Sequence, residues 1–250
     1  MHFQKTNVLG ISFYNGELKD ACLYARLGGL ITAPSGPGLA QDLRKCPVYR
    51  KALQESDMVL ADSGLLCLWQ KWIRKDPIIR ISGLIFLKAI IDQINWEKEK
   101  VLWVMPDQRQ AEANIAWLKK TYGAKIEDGD LYLAPQYPSG ELVDRSLLAQ
   151  IKANRPSSIF IQVGGGVQER LGLYLKENLY YLPSIYCTGA ALAFLSGQQV
   201  RIPKWVDKLY LGWLLRCMNS PTIFIPRYIK AFWLIALLAK HRGKAPEFGD

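Results

Sequence analysis

Histidine is scarce in this chain of 250 residues: His2 and His241 are the 2 it has, one near each end. That placement excludes a Ser-His-Asp triad, a Cys-His pair or a histidine-ligated metal site in the body. Acid–base chemistry then falls to Asp or Glu. The 5 cysteines, Cys22, Cys46, Cys67, Cys187 and Cys217, are odd in number, widely spaced and without a C-x-x-C pair. This fits reduced cytosolic thiols rather than a disulfide framework or a zinc site, and each reads as a small buried hydrophobe. No apolar run reaches the ~20 residues that span a bilayer. The opening residues Met1–Thr6 lack the basic-then-apolar form of a signal peptide. A cytoplasmic location is therefore expected. Long polar tracts, low-complexity segments and internal repeats are also missing, which argues against disorder.

What is present is a basic, half-apolar chain. The net charge is +10 and hydrophobic residues make up 50%. The length suits one large domain, or one domain with an appendage. The charge favours anionic partners: nucleotides, diphosphates, nucleic acid or anionic lipid headgroups. The chain offers no helix-turn-helix, RRM or zinc module, so specific nucleic-acid binding is not expected.

Short β-branched or apolar runs alternate with helical spacing. Strands are expected over Val8–Phe13, Leu30–Ala33, Met58–Ala61, Ile78–Ile81, Val101–Met105, Ser158–Val163 and Ile185–Thr188. Helices are expected over Gln108–Tyr122, Leu142–Asn154 and Val167–Asn178. This alternation predicts an α/β fold: a Rossmann-like, largely parallel sheet with helices on both faces. Composition shifts after Gly197, so residues 1–197 read as the α/β catalytic domain. Residues 198–250 read as a helical, basic and aromatic C-terminal appendage that associates with a membrane.

In such folds ligands bind outside the carboxyl ends of the strands. Three polar or glycine-rich turns stand at expected strand ends: Thr32 to Gly38, Asp62-Ser63-Gly64, and Gln162 to Glu169. Asp62 is either a catalytic acid or base or the cap of the following helix. Gly164-Gly165-Gly166 is either a phosphate-binding turn or a tight structural one, being neither G-x-G-x-x-G nor a P-loop. Glu169 in the next helix's first turn suits the helix dipole without any function. Gly28-Gly29 reads as the end of the first helix. Asp128-Gly129-Asp130 matches a cation-binding D-x-D superficially and reads better as a hairpin turn. Arg80 is either a salt-bridge partner or an anion ligand. From Phe224 to Arg242, aromatics, aliphatics and cations mix, as in either a C-terminal helix packed on the core or, the favoured reading, a helix that lies in the headgroup layer.

The order of these blocks resembles the WecG/TagA/CpsF family, whose members make bacterial cell-wall and surface polysaccharides. The blocks are Thr32-Ala33-Pro34-Ser35, Asp62-Ser63-Gly64, Arg80-Ile81-Ser82-Gly83 and Gly164-Gly165-Gly166-Val167-Gln168-Glu169. Arg201-Ile202-Pro203-Lys204-Trp205, Gly212-Trp213-Leu214-Leu215-Arg216 and Arg227-Tyr228 follow. The resemblance implies an inverting transfer of an N-acetylhexosamine from a UDP-sugar donor to a polyprenyl-diphosphate-linked acceptor. It implies no metal and no cofactor. Asp62 matches the general base, and Arg216 a cation that stabilises the departing diphosphate. The substrate-binding positions implied are Thr32, Ser35, Arg80, Ser82, Gly83, Gly164, Gly165, Gln168, Glu169, Arg201 and Arg227. The implied location is peripheral, on an anionic membrane surface at the inner face of the cell membrane. A homo-oligomer is left open.

The chain departs from the family pattern at several places. Ser35 replaces Asn, Ser63 Gly, Ile85 Asp, Gly166 Pro and Gly212 Glu, and Leu192-Ala193 replaces Phe-Asp. These changes fit a donor other than N-acetylmannosamine. The alternative is a catalytically inactive sugar-nucleotide-binding or scaffold protein, against which the retained Asp62, Gln168 and Arg216 argue.

Overall fold

The computed structural model describes residues 4–198, 218, 222, 225–226, 229, 231–241 and 243–247. Arg201, Arg216 and Arg227, with the blocks around them, lie outside the described residues.

One eight-stranded sheet organises the molecule, in the order β1-β2-β4-β3-β8-β7-β5-β6. Its strands are β1 Lys5–Val8, β2 Ile11–Tyr14, β3 Gly29–Thr32, β4 Met58–Val59, β5 Val101–Met105, β6 Leu131–Leu133, β7 Ser158–Ile161 and β8 Ser184–Cys187. The pair β1–β2 is antiparallel and every other pairing is parallel. The architecture is thus α/β, as the alternating pattern predicts.

The helices are α1 Leu18–Ala25, α2 Gly36–Lys45, α3 Pro47–Gln54, α4 Gly64–Trp69, α5 Gly83–Ile91, α6 Gln108–Tyr122, α7 Arg145–Asn154, α8 Val167–Asn178, α9 Ala191–Leu195 and a C-terminal helix Trp233–His241. They cover both faces because successive strand side chains point to opposite sides. On one face Ile31, Tyr186, Phe160 and Trp103 pack with α1, α5, α6 and α9. Their registers align them across four strands, and the rings stack at 4.4 Å (Trp103–Phe160) and 4.7 Å (Phe160–Tyr186). Truncating such a buried ring to alanine costs about 3–5 kcal/mol. On the other face Leu30, Ile185, Ile159 and Leu102 pack with α7 and α8, and Val59 and Phe13 with α2, α4 and the C-terminal helix.

Three expected elements come out differently. The run Val8–Phe13 is not one strand but a hairpin, reversed at Leu9 and Gly10 with φ of 54° and 74°. Two successive positive φ values are the signature of the tight turn that joins twisted antiparallel strands. Ile78–Ile81 pairs with no strand. Its backbone is served by a side chain instead: Asn15 Nδ2 donates to Pro77 O, and Ile79 N donates to Asn15 Oδ1. With those groups satisfied, no ladder is needed. Asp128-Gly129-Asp130 is a short 3-10 turn leading into the parallel edge strand β6, not a hairpin. Smaller shifts have equally local causes. The helix expected from Leu142 starts at Arg145, where Asp144 accepts from Leu147 N and caps it. Gly28-Gly29 does not end α1, which stops at Ala25; Gly29 opens β3.

The described part of the C-terminal segment closes back onto the body. Leu234, Leu237 and Leu238 are buried in the cluster that holds α2 and α4. Gly10 N donates to Gly243 O, and Arg50 Nη2 donates to Pro246 O at 2.7 Å. Among the described residues, no helix is long and apolar enough to cross a membrane.

Candidate active site at the carboxyl edge of the sheet

The loops leaving β3 and β8, neighbours in the sheet, go to helices on opposite faces: α2 on one, α9 on the other. This is the kind of position at which α/β sheets bind ligands. The three turns singled out in the sequence all stand at this edge, after β3, β4 and β7.

A repeated device starts the helices here. Ser35, Ser63 and Ser82 each cap a helix and each is followed by glycine. Ser35 Oγ accepts from Gly38 N, Ser63 Oγ from Leu66 N and Ser82 Oγ from Ile85 N. A serine cap satisfies one of the four amides a helix start leaves unpaired. The starts lie close together. A methyl group placed on Gly36 would stand 3.1 Å from Ser63 Oγ. One placed on Gly83 would stand 3.4 Å from Ala33 Cβ and 3.5 Å from Thr188 O, at the ends of β3 and β8. The remaining helix-start amides and the aligned peptide dipoles favour an anion at this edge. Ser-Gly occurs 5 times in the sequence, so the dipeptide alone does not single out these three pairs.

Asp62 does not cap α4, because Ser63 does. It is half-buried, and its Oδ1 accepts from Gly83 N at 3.1 Å. Arg80 Nε donates to Asp62 O at 3.0 Å. The blocks Asp62-Ser63-Gly64 and Arg80-Ile81-Ser82-Gly83 are therefore one structural unit. The carboxylate is oriented by the first amide of α5, with a guanidinium beside its backbone. Neighbouring Cys67 is pushed up to about 12, chiefly by burial, so it stays a thiol.

The glycine turn is built from within. Gly164 and Gly165 are exposed, while Gly166 has φ 86°. Proline, expected here by the family pattern, cannot adopt that angle, so this turn takes a shape of its own. Gly166 N donates to Glu169 Oε2 at 2.7 Å, and Gln168 Nε2 donates to Glu169 Oε1. Gln168 Oε1 in turn accepts from Gly189 N at 2.5 Å, tying α8 to the loop after β8. Gln168 and Glu169 are 2% and 1% exposed. Burial raises the Glu169 carboxyl to about 7; hydrogen bonds oppose the rise and nearby Asp42 adds to it. Gln162 reinforces the same loops, donating to Thr188 Oγ1 and accepting from Leu192 N. Its role had no sequence signal beyond its place at a strand end.

The edge thus gathers Ser35, Asp62, Arg80, Ser82, Gly83, Gly164, Gly165, Gln168 and Glu169. Thr32 differs: it is fully buried, and its hydroxyl shares a 3.2 Å hydrogen bond with Ser56 Oγ in the loop between α3 and β4. Its side chain faces the interior, not the edge. The Asp128-Gly129-Asp130 turn stands at the amino end of β6, away from the site. Its Asp130 carboxylate accepts from Glu127 N, and Gly129 O accepts from Gln150 and Asn154.

Comparison with known proteins identifies relatives of this chain. The model of the glycosyl transferase WecG/TagA/CpsF family matches residues 6–246. A Bacillus spizizenii N-acetylglucosaminyldiphosphoundecaprenol N-acetyl-beta-D-mannosaminyltransferase is 22% identical over 212 residues, covering 81% of this chain and 78% of that protein. A Bacillus subtilis protein of the same name is 22% identical over 209 residues, covering 80% and 77%.

Proposed function

Given that the chain belongs to the WecG/TagA/CpsF family of glycosyl transferases, we propose that it moves an N-acetylhexosamine, or a related sugar, from a UDP-sugar to a polyprenyl-diphosphate-linked acceptor. The observation that carries this reading is the placing of Asp62. It sits at a strand's carboxyl end, half-buried, with one oxygen fixed by Gly83 N among several helix starts.

The proposed chemistry is a single displacement. An acceptor hydroxyl oxygen attacks C1 of the donor sugar while Asp62 takes its proton. The C1–O bond to the diphosphate breaks, the bonding electrons leave with UDP, and the anomeric carbon inverts. The departing charge is met by helix-start amides and Arg80, with Arg216, Arg201 and Arg227 as further cations from the C-terminal segment. Fixed positive charge of this kind does the work of a divalent cation, so no metal is required. Gln168 and Glu169 hold the glycine turn in shape. The names of the Bacillus relatives support a lipid-linked acceptor. Such an acceptor requires the enzyme to work at a membrane surface, with the basic C-terminal segment in contact with it.

The test is a donor panel. The purified chain is incubated with UDP-hexosamines and a short-chain polyprenyl-diphosphate acceptor, with EDTA present, and products are weighed by mass spectrometry. One donor should give a product heavier by one sugar residue. UDP binding with no product from any donor would leave the binding or scaffold role instead. Turnover abolished by EDTA and restored by a divalent cation would remove the metal-free step.

A further inference from the structure

We propose that the segment Gln70–Ile79 is a finger that rests on an anionic lipid surface and holds the active-site edge against it. The proposal rests on the lipid-linked acceptor reading but is tested without turnover. Helix α4 runs directly into a π-helical turn, Gln70–Arg74, which ends at Lys75 with φ 57°. The chain then returns to Arg80, at Asp62. Both ends of the excursion therefore adjoin Asp62, one through the chain at Ser63 and the other through Arg80 on its backbone carbonyl. Ten residues of helical rise carry its tip roughly 15 Å from Asp62, a span comparable with a hexose and a diphosphate laid end to end.

The tip has the chemistry of a headgroup layer. Trp72 is 68% exposed and Ile73 60%, and Ile79, at the base of the excursion, is 50% exposed. Lys71, Arg74 and Lys75 are exposed beside them, and Asp76 is the only acid between Gln70 and Arg80. Lys71 Nζ lies 5.4 Å from the centre of the Trp72 ring. Large apolar side chains left in water cost free energy unless something covers them, and cations crowded around them repel one another. An anionic bilayer relieves both, with Trp and Ile entering the interface and Lys and Arg meeting phosphates. The C-terminal helix, which packs in the same core as α4, exposes Trp233 at its start, beside the exposed Phe232 that precedes it.

The experiment is co-sedimentation of the full chain with phosphatidylglycerol/phosphatidylcholine vesicles. The Trp72→Ser/Ile73→Ser variant should lose partitioning by at least about tenfold. Lys71→Ala/Arg74→Ala/Lys75→Ala should lose about fivefold per cation, and nothing on pure phosphatidylcholine. All these side chains are exposed, so melting temperatures should stay within a few degrees of wild type. Transfer to a water-soluble short-chain acceptor should be unchanged, while transfer to an acceptor embedded in vesicles falls. Unchanged partitioning of the apolar variant overturns the proposal. So does unchanged partitioning joined to a halved molecular mass, which would make a second copy of the chain the occupant. Lost partitioning in a protein that transfers no sugar would sink the enzymatic reading and keep the finger.

Discussion

Asp62 and Glu169 are both carboxylates at the carboxyl edge of the sheet, and each accepts an amide N–H at a helix start. They differ in where that amide comes from. The partner of Asp62, Gly83, lies 21 residues away on another helix, and the carboxylate stays half-buried at the edge. The partners of Glu169, Gly166 and Gln168, belong to its own turn, and the carboxyl is sealed inside. The first arrangement holds a half-buried group at the edge through an amide from another element. The second uses a group as internal scaffolding, and burial drives it toward the neutral form. In the proposed mechanism the two acids have opposite duties: Asp62 takes the proton, and Glu169 shapes the turn.

That contrast can be strained at the Glu169 end first. Gly166→Pro, which restores the residue expected from the family pattern, should destabilise by about 3 kcal/mol or more, read as a lower denaturation midpoint. It removes the amide that Glu169 accepts and demands a negative φ where the chain holds 86°. A wild-type midpoint would mean the turn is free to rebuild.

Glu169→Gln should act through pH. Glu169 is raised from 4.5 to about 7 by burial. Below about pH 4.5 both folded and unfolded chains hold the proton, so the group adds no pH dependence. Between 4.5 and 7 the unfolded chain releases it first, and stability falls as pH rises. Above 7 the cost is complete, about 3 kcal/mol. The glutamine variant escapes this. Its melting temperature relative to wild type should therefore climb by about 5–10 °C between pH 5 and pH 8, with transfer rate within a few-fold. A pH-independent difference would show that Glu169 ionises freely in the fold. Smallest of the three, Ser82→Ala should cost about 1 kcal/mol from the lost cap on α5. It should also lower turnover, because the amide orienting Asp62 belongs to that helix.

The layout was legible in the sequence because each apolar run is followed by a helix with one apolar face, and that rhythm permits few topologies. The edge was legible because polar and glycine-rich turns mark strand ends. What escaped depends on partners far along the chain. Ile78–Ile81 reads as a strand until Asn15, 64 residues from Ile79, takes up its backbone. Thr32 reads as a pocket residue until Ser56 draws its hydroxyl inward. Asp62 reads equally as a cap until Ser63 proves to hold that place and Gly83 proves to be its partner. β6 is only three residues long and carries no pattern of its own. Local spacing encodes elements; it does not encode which distant group satisfies which.

The most direct measurement is a pair of numbers for Asp62→Asn: the turnover rate with donor and acceptor, and the dissociation constant for UDP by calorimetry. Asparagine keeps an oxygen to accept from Gly83 N, so the edge should hold its shape. Turnover should fall by about 10²–10⁴-fold while UDP affinity stays within about twofold. Wild-type turnover would show that some other group takes the acceptor's proton, and a parallel loss of UDP affinity would show that Asp62 shapes the site instead of reacting in it.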